Sequence, residues 1–365
     1  MRVAVVGASG NIGTALLRAL RGEEAVESVV GVARRVPTTT PPPPYDAVEW
    51  RGVDLAAGAA DPGDRAADDA VVGALADAFT GADAVVHLAW AMQPSHDRAL
   101  LRATNVTGTR RVIDAVVRAG VPHLVVASSV GAYAPVRDDE PRSEEWATQE
   151  VRSSSYSVDK VAVERLLDEA ETLHPRLRVA RVRPALVFQR AAGSGIERYF
   201  LGPVLPAAAL GAGLPVLPWP RGVRVQAVHA DDLAQAFRAI LLDQHVGAFN
   251  VAAADVLRGP DVAALLAAGR IVEVPVPVVR AGVRAAWLAR GIAVSPGWVD
   301  LAAGVPLMST DRARSVLGWR PRRTAAEALA AVLGGMVDGA GTASPPMRPR
   351  SRARRSLLGG QVSVR

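Results

Sequence analysis

The chain has 365 residues, half of them hydrophobic, and a formal net charge of +6 at pH 7. It contains no cysteine, which excludes disulfides, thiolate catalysis and cysteine-ligated zinc. Six arginines and no acid fall in residues 339–365, so the rest of the chain is neutral and we do not expect it to bind nucleic acid. No apolar run approaches the roughly 20 residues of a membrane-spanning helix. The chain opens on a strand pattern rather than a signal peptide, so we expect a cytoplasmic protein without membrane contact.

The first predicted element is an apolar strand over residues 2–6, which runs directly into a glycine-rich turn and a helix. The helix has one apolar face, formed by Ile12, Leu16, Ala19 and Leu20. Glycines in such a turn let the backbone approach a pyrophosphate, whose charge the helix N-terminus stabilises. The pattern predicts a dinucleotide site, although similar turns also occur without a ligand. The residues predicted to contact the cofactor here are Gly7, Ser9, Gly10, Asn11, Ile12 and Gly13.

The second predicted strand, residues 28–33, ends at Arg34 and Arg35 with no acidic residue. At this position an acid favours NAD by binding the ribose hydroxyl, whereas arginine favours the 2′-phosphate of NADP. The two arginines therefore predict NADP, with NAD as the alternative because arginine is abundant throughout the chain. A third strand pattern is followed by Asp54 and Leu55, which we expect beside the adenine, although Asp54 also reads as an ordinary loop residue.

Further strand patterns cover residues 84–88, 123–128 and 178–183 and alternate with helical patterns. This alternation predicts an α/β fold with a Rossmann-type, doubly wound parallel sheet. We place an NAD(P)-binding domain over residues 1–183, because the chain beyond it becomes rich in glycine and proline. The other predicted parts are a smaller C-terminal substrate-binding portion, residues 184–337, and a disordered arginine-rich tail, residues 338–365.

Lys160 is the only lysine among 42 Lys and Arg residues, and it follows Tyr156 by four positions. Residues four apart share one face of a helix, so the phenol and the ammonium can contact one partner together. A phenol with its ordinary pKa of about 10 is a poor base at neutral pH, and a neighbouring cation lowers that pKa. The pair is a candidate catalytic site with Tyr156 as general acid or base; a stray surface lysine is the alternative.

The glycine turn and the Tyr-Lys pair belong to a set of motifs that stand in a fixed order. The members are residues 7–13, Val53-Asp54-Leu55, His87-Leu88-Ala89, Asn105-Val106-Thr107-Gly108-Thr109, Ser128-Ser129, Tyr156-Ser157-Val158-Asp159-Lys160, Arg183-Pro184, Val228-His229-Ala230-Asp231-Asp232-Leu233 and Leu317-Gly318-Trp319-Arg320-Pro321. Each motif alone is weak. Together they resemble the extended short-chain dehydrogenase/reductase superfamily, in its NAD(P)-dependent epimerase/dehydratase-like branch, from residue 1 to about residue 335.

The resemblance implies a catalytic site in which a serine hydroxyl and the Tyr156 phenol both contact the reacting oxygen. Lys160 would bind the nicotinamide ribose and lower the pKa of the tyrosine. Of two adjacent serines, the family spacing favours Ser129 over Ser128 as the catalytic residue. Two further residues are implied to line the cofactor, Leu88 and Ala89.

Other polar residues of these motifs are implied to be structural. His87 falls where the family's backbone passes the cofactor, and Asn105 is structural or adjacent to the cofactor. His229, with Asp231 and Asp232, resembles a metal site but belongs to the support of the fold in this family. We therefore expect no metal.

The resemblance leaves the reaction open between two enzyme classes. Sugar-nucleotide dehydratases of the family carry an acid pair after the active-site serine or threonine, where this chain has Val130 and Gly131. We therefore favour an NAD(P)-dependent oxidoreductase that transfers hydride between the cofactor and a ketone or secondary alcohol. A nucleotide-sugar epimerase is the alternative. A non-catalytic NADP-sensing regulator is disfavoured, because it needs no Tyr-Lys pair.

The predicted pocket for a small-molecule substrate is formed by residues 90–94 and 188–217, which are mostly apolar. Arg190 and Arg198 could meet a substrate phosphate. Members of the family usually form homodimers, and we expect a homodimer only for that reason.

Overall fold

The computed structural model describes residues 1–37, 41–59, 65–93, 96–201 and 214–350. The end of the predicted tail, residues 351–365, and parts of the predicted pocket segments lie outside the described residues. Within the described part, strands and helices alternate through the first half of the chain, as the sequence predicts.

Seven strands build one main sheet in the order β10-β6-β5-β4-β1-β2-β3, and every neighbouring pair in it is parallel. The strands are β1 (Arg2–Val6), β2 (Ser28–Ala33), β3 (Val48–Gly52), β4 (Ala84–His87), β5 (His123–Ala127), β6 (Arg178–Pro184), β7 (Leu186–Phe188), β8 (Val216–Pro220), β9 (Ala227–His229), β10 (Gly247–Val251) and β11 (Arg270–Val274). This order is that of a doubly wound Rossmann sheet with one added strand. The predicted fold class is confirmed, and the five predicted strands match to within one residue at each end.

The helices cover both faces of the sheet. They are α1 (Asn11–Leu20), α2 (Arg65–Phe79), α3 (Arg98–Arg102), α4 (Gly108–Arg118), α5 (Ser155–Leu173), α6 (Gly193–Ile196), α7 (Ala230–Leu242), α8 (Gly259–Leu265), α9 (Val276–Leu288), α10 (Gly297–Gly304), α11 (Asp311–Val316) and α12 (Ala325–Asp338). None of the helices described here is long and apolar enough to cross a membrane.

Two apolar layers hold the helices to the sheet, because each buried strand presents alternate residues to opposite faces. In β1, Ala4 and Val6 pack into one layer with α2 and α4, whereas Val3 and Val5 pack into the other layer with α1 and α7. Both faces of the central strands are therefore covered by helices. Only the strand ends remain for a ligand, which fixes the site at one edge of the sheet.

The chain beyond residue 184 returns to the main sheet. Strand β10 pairs with β6 in parallel, and α7 packs beside α1 through Ala15, Ala230 and Ala234. The predicted boundary at 183/184 therefore divides the observed sheet, because β10, from the chain beyond it, pairs with β6. Two small sheets, β7-β9 and β8-β11, lie outside the main sheet.

The first part of the predicted tail is packed against the protein. Residues 339–350 follow α12, and within them Ser344 and Met347 are almost completely buried. Arg350 binds Glu197 and the carbonyl oxygen of Met336. The prediction of disorder from residue 338 is wrong for this stretch, because tertiary contacts to other elements compensate for its lack of an apolar pattern.

Candidate active site

The glycine turn after β1 lies against the loop after β4, where the order of the sheet reverses. Gly7 has a φ of +87°, and a Cβ there would lie 2.6 Å from the backbone nitrogen of Ala89. Its N–H donates to the carbonyl of Val32 at 2.8 Å, which ties the turn to the end of β2. A side chain at Gly7 would separate the two loops. The reversal point between β1 and β4 is the place where doubly wound sheets bind ligands.

The first turn of α1 packs directly on the glycine turn. A Cβ on Gly13 would lie 2.5 Å from the carbonyl oxygens of Gly7 and Ala8, so only glycine permits this approach. The helix begins after Gly10 without a side-chain cap. Its first N–H groups have no partner within the helix and can bind an anion. All six predicted turn residues line one cavity.

The predicted adenosine residues line the same cavity. Arg34, Arg35 and Asp54 are exposed at its edge, and Leu55 is buried beneath it. Among the residues that the structure describes, neither arginine has a hydrogen bond or an ion pair, so both guanidinium groups are available to a ligand. Asp54 accepts a hydrogen bond from the N–H of Ala56 at 3.0 Å and so caps its own turn.

The loop after β4 is held by Asn105. Its side chain binds both backbone groups of Ala91, at 2.8 Å to the N–H and 3.0 Å to the carbonyl. This fixes Leu88 and Ala89, which line the cavity as the resemblance implies. Asn105 thus positions the loop rather than touching the reacting atoms.

His87 ends β4 behind this loop and does not line the cavity. Its Nε2 lies 2.9 Å from the hydroxyl of Thr109, which is in α4. Burial, with a smaller contribution from the charge of Lys160, lowers the pKa of His87 to about 3. The imidazole is therefore neutral throughout the physiological range, which suits a structural role.

The two adjacent serines after β5 have different partners. Ser128 donates to Glu164 at 2.5 Å, and that carboxylate also binds Arg183 through two contacts of 2.9 Å. Ser128 is thus held in a buried ion-pair network. Ser129 accepts from the N–H of Gly131 at 3.0 Å and interacts with the Tyr156 phenol. Of the two serines, Ser129 is therefore the one that interacts with the Tyr156 phenol.

Tyr156 lies at the start of α5, which is capped by Ser154. Its ring is flanked by two indoles, with centroid distances of 5.6 Å to Trp90 and 4.9 Å to Trp298. Burial raises the pKa of the Tyr156 phenol above its ordinary value, and the hydrogen bond with Ser129 only partly opposes this. At neutral pH the phenol therefore carries its proton and can donate it.

Lys160 lies one helical turn later and is almost completely buried. Its Nζ donates to the carbonyl of Ala127 at 2.8 Å and lies 3.5 Å from the ring centroid of Trp90. The ring of Tyr156 is farther away, at 5.8 Å. Burial lowers the pKa of Lys160 to about 7, with Glu164 and Asp159 opposing the shift. The expected lowering of the tyrosine pKa by Lys160 is not found, because the ammonium is turned toward Trp90 and Ala127.

Trp298 is a site residue that the sequence did not predict. It stands on α10, and a Cβ on the preceding Gly297 would lie 2.1 Å from the carbonyl oxygen of Ser153. This glycine lets α10 approach the start of α5 closely enough for the indole to reach Tyr156. No local pattern around residue 298 carries that information, since the contact joins elements about 140 positions apart.

The glycine turn, Ser129, Tyr156, Lys160 and Trp298 line one cavity of about 640 Å³. Many of the other side chains that line it are apolar. A volume in the range of roughly 300–1,000 Å³ is typical of small-molecule and cofactor sites. The cavity thus joins the predicted cofactor turn to the predicted catalytic residues.

Most of the chain matches the model of a known protein family. Residues 3–252, about two thirds of the chain, match the model of the NAD dependent epimerase/dehydratase family. The chain belongs to this family. This family is of the extended short-chain dehydrogenase/reductase type, as the motifs suggested.

The curated relatives are much longer than this chain, and their names describe no activity. Uncharacterised proteins of Mycobacterium tuberculosis and Mycobacterium bovis are 30% identical to the chain over 332 residues, or 90% of it. The chain spans only 29% of the length of these relatives. The similarity therefore concerns one part of longer proteins.

Solved structures share the fold of this family member. The UDP-glucose 4-epimerase of Thermus thermophilus, in complex with NAD, has a TM-score of 0.64 and 21% identity, over 92% of this chain and 99% of that one. The dTDP-glucose 4,6-dehydratase DesIV of Streptomyces venezuelae has a TM-score of 0.63 and 18% identity, over 92% and 96%. The UDP-N-acetylglucosamine 4-epimerase of Bacillus cereus has a TM-score of 0.62 and 16% identity, over 92% and 99%. At these identities the likeness concerns the fold alone.

Gly131 leaves no room for the acid that dehydratases of the family carry after the active-site residue. A Cβ on Gly131 would lie 2.9 Å from Cε1 of Tyr156 and 3.4 Å from the hydroxyl of Ser129. A glutamate there would displace the Tyr156 phenol.

The two arginines considered for a substrate phosphate are bound elsewhere. Arg190 forms an ion pair with Asp338, and Arg198 donates to the carbonyl oxygens of Pro346 and Arg348. Neither side chain lines the cavity. They hold the C-terminal segment in place instead.

The C-terminal segment covers the glycine turn of the enzyme. Ser344 donates to the carbonyl of Ser9 at 2.5 Å, and Thr14 lies 3.5 Å from the sulfur of Met347. Pro346 and Met347 line the cavity together with the turn. We call residues 339–350 the C-terminal strap. Its place beside the phosphate-binding backbone was not predicted, because its sequence carries no recognised motif.

His229 and its neighbours support the fold. The N–H of Asp231 donates to Nδ1 of His229 at 3.2 Å, and Asp232 accepts from the N–H of Arg323 at 3.0 Å. Trp319 donates to the carbonyl of Asp232 at 2.8 Å. Over the residues described, no group of three or more potential ligands is arranged to hold a metal ion.

Proposed function

We propose that the protein is an NADP-dependent oxidoreductase that reduces a ketone to a secondary alcohol and catalyses the reverse oxidation. The observation that carries the proposal is the joint placement of the Ser129 hydroxyl, the Tyr156 phenol and the Lys160 ammonium in the cavity that the glycine turn opens into. Two hydroxyls on one side of a cavity can bind a carbonyl oxygen, and one of them can exchange a proton with it.

The glycine turn fits a nicotinamide dinucleotide, because side chains at Gly7 or Gly13 would fill the space that its backbone exposes. When bound, the cofactor supplies or accepts the hydride. Ser129 orients the substrate oxygen, and Tyr156 transfers its proton to that oxygen as the carbonyl becomes an alcohol. Lys160 is placed to bind the ribose once its ammonium leaves the Trp90 ring. Burial keeps Tyr156 protonated at neutral pH, which is the state from which reduction starts.

NADP is the proposed cofactor because Arg34 and Arg35 are exposed at the cavity edge where β2 ends. Charge-assisted hydrogen bonds contribute about 1.5–3 kcal/mol each. We therefore expect Arg34→Ala to weaken NADPH binding by roughly tenfold or more and to leave NADH binding nearly unchanged. The matched control is Arg51→Ala, because Arg51 pairs with Glu49 outside the cavity. Fluorescence titration with both nucleotides measures the effect, and equal losses for the two would refute NADP.

A nucleotide-sugar epimerase is the second candidate, and the C-terminal strap favours it. An epimerase regenerates its cofactor within each turnover and can retain it, whereas a reductase must exchange it. A strap across the glycine turn would suit retention. Denaturing the purified protein and identifying any released nucleotide separates the two: tightly held NAD supports the epimerase, and an exchangeable NADP(H) supports the reductase.

A further inference from the structure

The region beyond Tyr156 is aromatic and apolar. Trp90 and Trp298 flank the catalytic ring, with an edge contact at 71° and a tilted contact at 38°. Further mostly apolar residues line the same cavity, namely Met92, Phe188, Ile196, Tyr199, Leu301 and Leu307. A ligand group placed next to the reacting oxygen would therefore meet indole and aliphatic carbon.

Cations for a substrate diphosphate are lacking in this region. Arg224 is the arginine that lines it, and its guanidinium is buried, with Asp139 at 2.8 Å and a hydrogen bond to the carbonyl of Asp138. Lys160 is directed at Ala127 and Trp90. Within residues 1–37, 41–59, 65–93, 96–201 and 214–350, no other cationic side chain lines the cavity beyond the predicted adenosine end. A diphosphate placed here would lose its hydration without gaining a free cation.

The amide side chains of the region are also bound to the protein. Gln93 donates to the carbonyls of Tyr199 and Ala293 at 2.9 and 3.0 Å. Gln226 binds both backbone groups of Met308, accepting at 2.7 Å and donating at 3.2 Å. Both amides are therefore held by the protein backbone in fixed orientations.

One buried donor beside the catalytic pair is without a partner. Nε1 of Trp90 is inaccessible to solvent and has no hydrogen bond among the described residues. A buried donor without a partner is costly, and a substrate oxygen could satisfy it only if the indole moved. The side-chain hydroxyls that the cavity offers a substrate include those of Ser129, Tyr156 and Tyr199.

We propose that the substrate is an aryl ketone, a flat and uncharged aromatic carbonyl compound, and that Trp298 selects it by packing against its ring. This proposal rests on the proposed oxidoreductase function and names the substrate class of the same site. The carbonyl oxygen binds Ser129 and Tyr156, and the aromatic ring lies in the indole-lined region. Offset or edge contacts between aromatic rings favour such a ligand over an aliphatic one of equal size.

The test uses the full-length protein with acetophenone, 2-butanone and UDP-glucose as probes. Calorimetric titration in the presence of NADP⁺ should show binding of acetophenone and none of UDP-glucose at matched concentrations. With NADPH, Trp298→Ala should lower the ratio of kcat/KM for acetophenone to kcat/KM for 2-butanone at least tenfold, or about 1.4 kcal/mol, because any loss from the changed flank of Tyr156 is shared by both ketones. The matched control is Trp146→Ala, because Trp146 lies at the surface outside the cavity. Trp146→Ala should leave kcat/KM unchanged for both ketones.

The outcomes separate the substrate class from the reaction. Binding of UDP-glucose as tight as that of acetophenone, or an equal loss for both ketones in Trp298→Ala, overturns the aryl-ketone proposal and leaves the oxidoreductase function standing. Binding of acetophenone without any reduction by NADPH or NADH supports the aromatic site and refutes the oxidoreductase function. If Trp298→Ala fails to fold, Trp298→Leu is used instead, because leucine is apolar and of intermediate size. The ratio of kcat/KM for acetophenone to kcat/KM for 2-butanone then tests the aryl-ketone proposal.

Discussion

Gly131 gives the sharpest test of the catalytic geometry, because it touches the catalytic ring without contributing a side chain. A Cβ at this position would lie 2.9 Å from Cε1 and 3.2 Å from Cδ1 of Tyr156. Carbon atoms in ordinary contact are about 3.5–4.0 Å apart. Gly131→Ala therefore pushes the ring by roughly 0.6–1.1 Å, and Trp298 on its other flank restricts the retreat.

A displacement of about 1 Å in a catalytic group can cost a factor of about a hundred in rate. We expect kcat for Gly131→Ala to fall by about that factor, with cofactor binding nearly intact, because the substituted atom is remote from the glycine turn. Overpacking should lower the free energy of unfolding by about 1–3 kcal/mol. Steady-state kinetics, NADPH titration and urea denaturation measure the three quantities.

The matched control is Gly73→Ala. Gly73 lies within α2, and the nearest atom to a new Cβ is 3.9 Å away. The free energy of unfolding should rise by about 0.5–1 kcal/mol, because alanine loses less conformational entropy in a helix, and kcat should not change. A Gly131→Ala protein with normal kcat would refute both the placement of the tyrosine ring and the role assigned to it.

Further predictions concern the catalytic residues and the strap. Tyr156→Phe should abolish turnover and leave NADPH binding within about threefold; near-normal rates would remove Tyr156 from catalysis. Ser129→Ala should lower kcat by about 10²-fold while Ser128→Ala mainly lowers the urea midpoint, and reversed effects would exchange their roles. Because burial lowers the pKa of Lys160 to about 7, the unfolded chain holds a proton between pH 7 and the ordinary pKa of about 10.5 that the folded chain has lost. The free energy of unfolding should therefore rise through this range more steeply in the wild type than in Lys160→Met, and equal slopes would contradict the shift. Truncation after residue 338 should speed cofactor release in stopped-flow fluorescence, and an unchanged rate would show that the strap does not retain the nucleotide.

The strands and the glycine turn followed from local patterns. Buried parallel strands are short apolar runs, and a turn that packs its backbone against another loop requires glycine at fixed positions. Such constraints act within a few residues, so Gly7 and Gly13 could be read directly from the chain. The Tyr156 and Lys160 pair was equally accessible, because the spacing of four on a helix is itself local.

The surroundings that set the chemistry were decided by tertiary contacts. Trp298 reaches Tyr156 only because α10 packs on the start of α5, and the strap reaches Ser9 from more than 300 residues away. The position of Lys160 over Trp90 and the burial that raises the Tyr156 pKa also depend on several elements meeting. Local patterns in the chain were enough to predict the strands, the glycine turn and the Tyr156 and Lys160 pair. What covers the glycine turn and what surrounds the Tyr156 ring were decided by the packing of distant segments, because no local pattern encodes those distances.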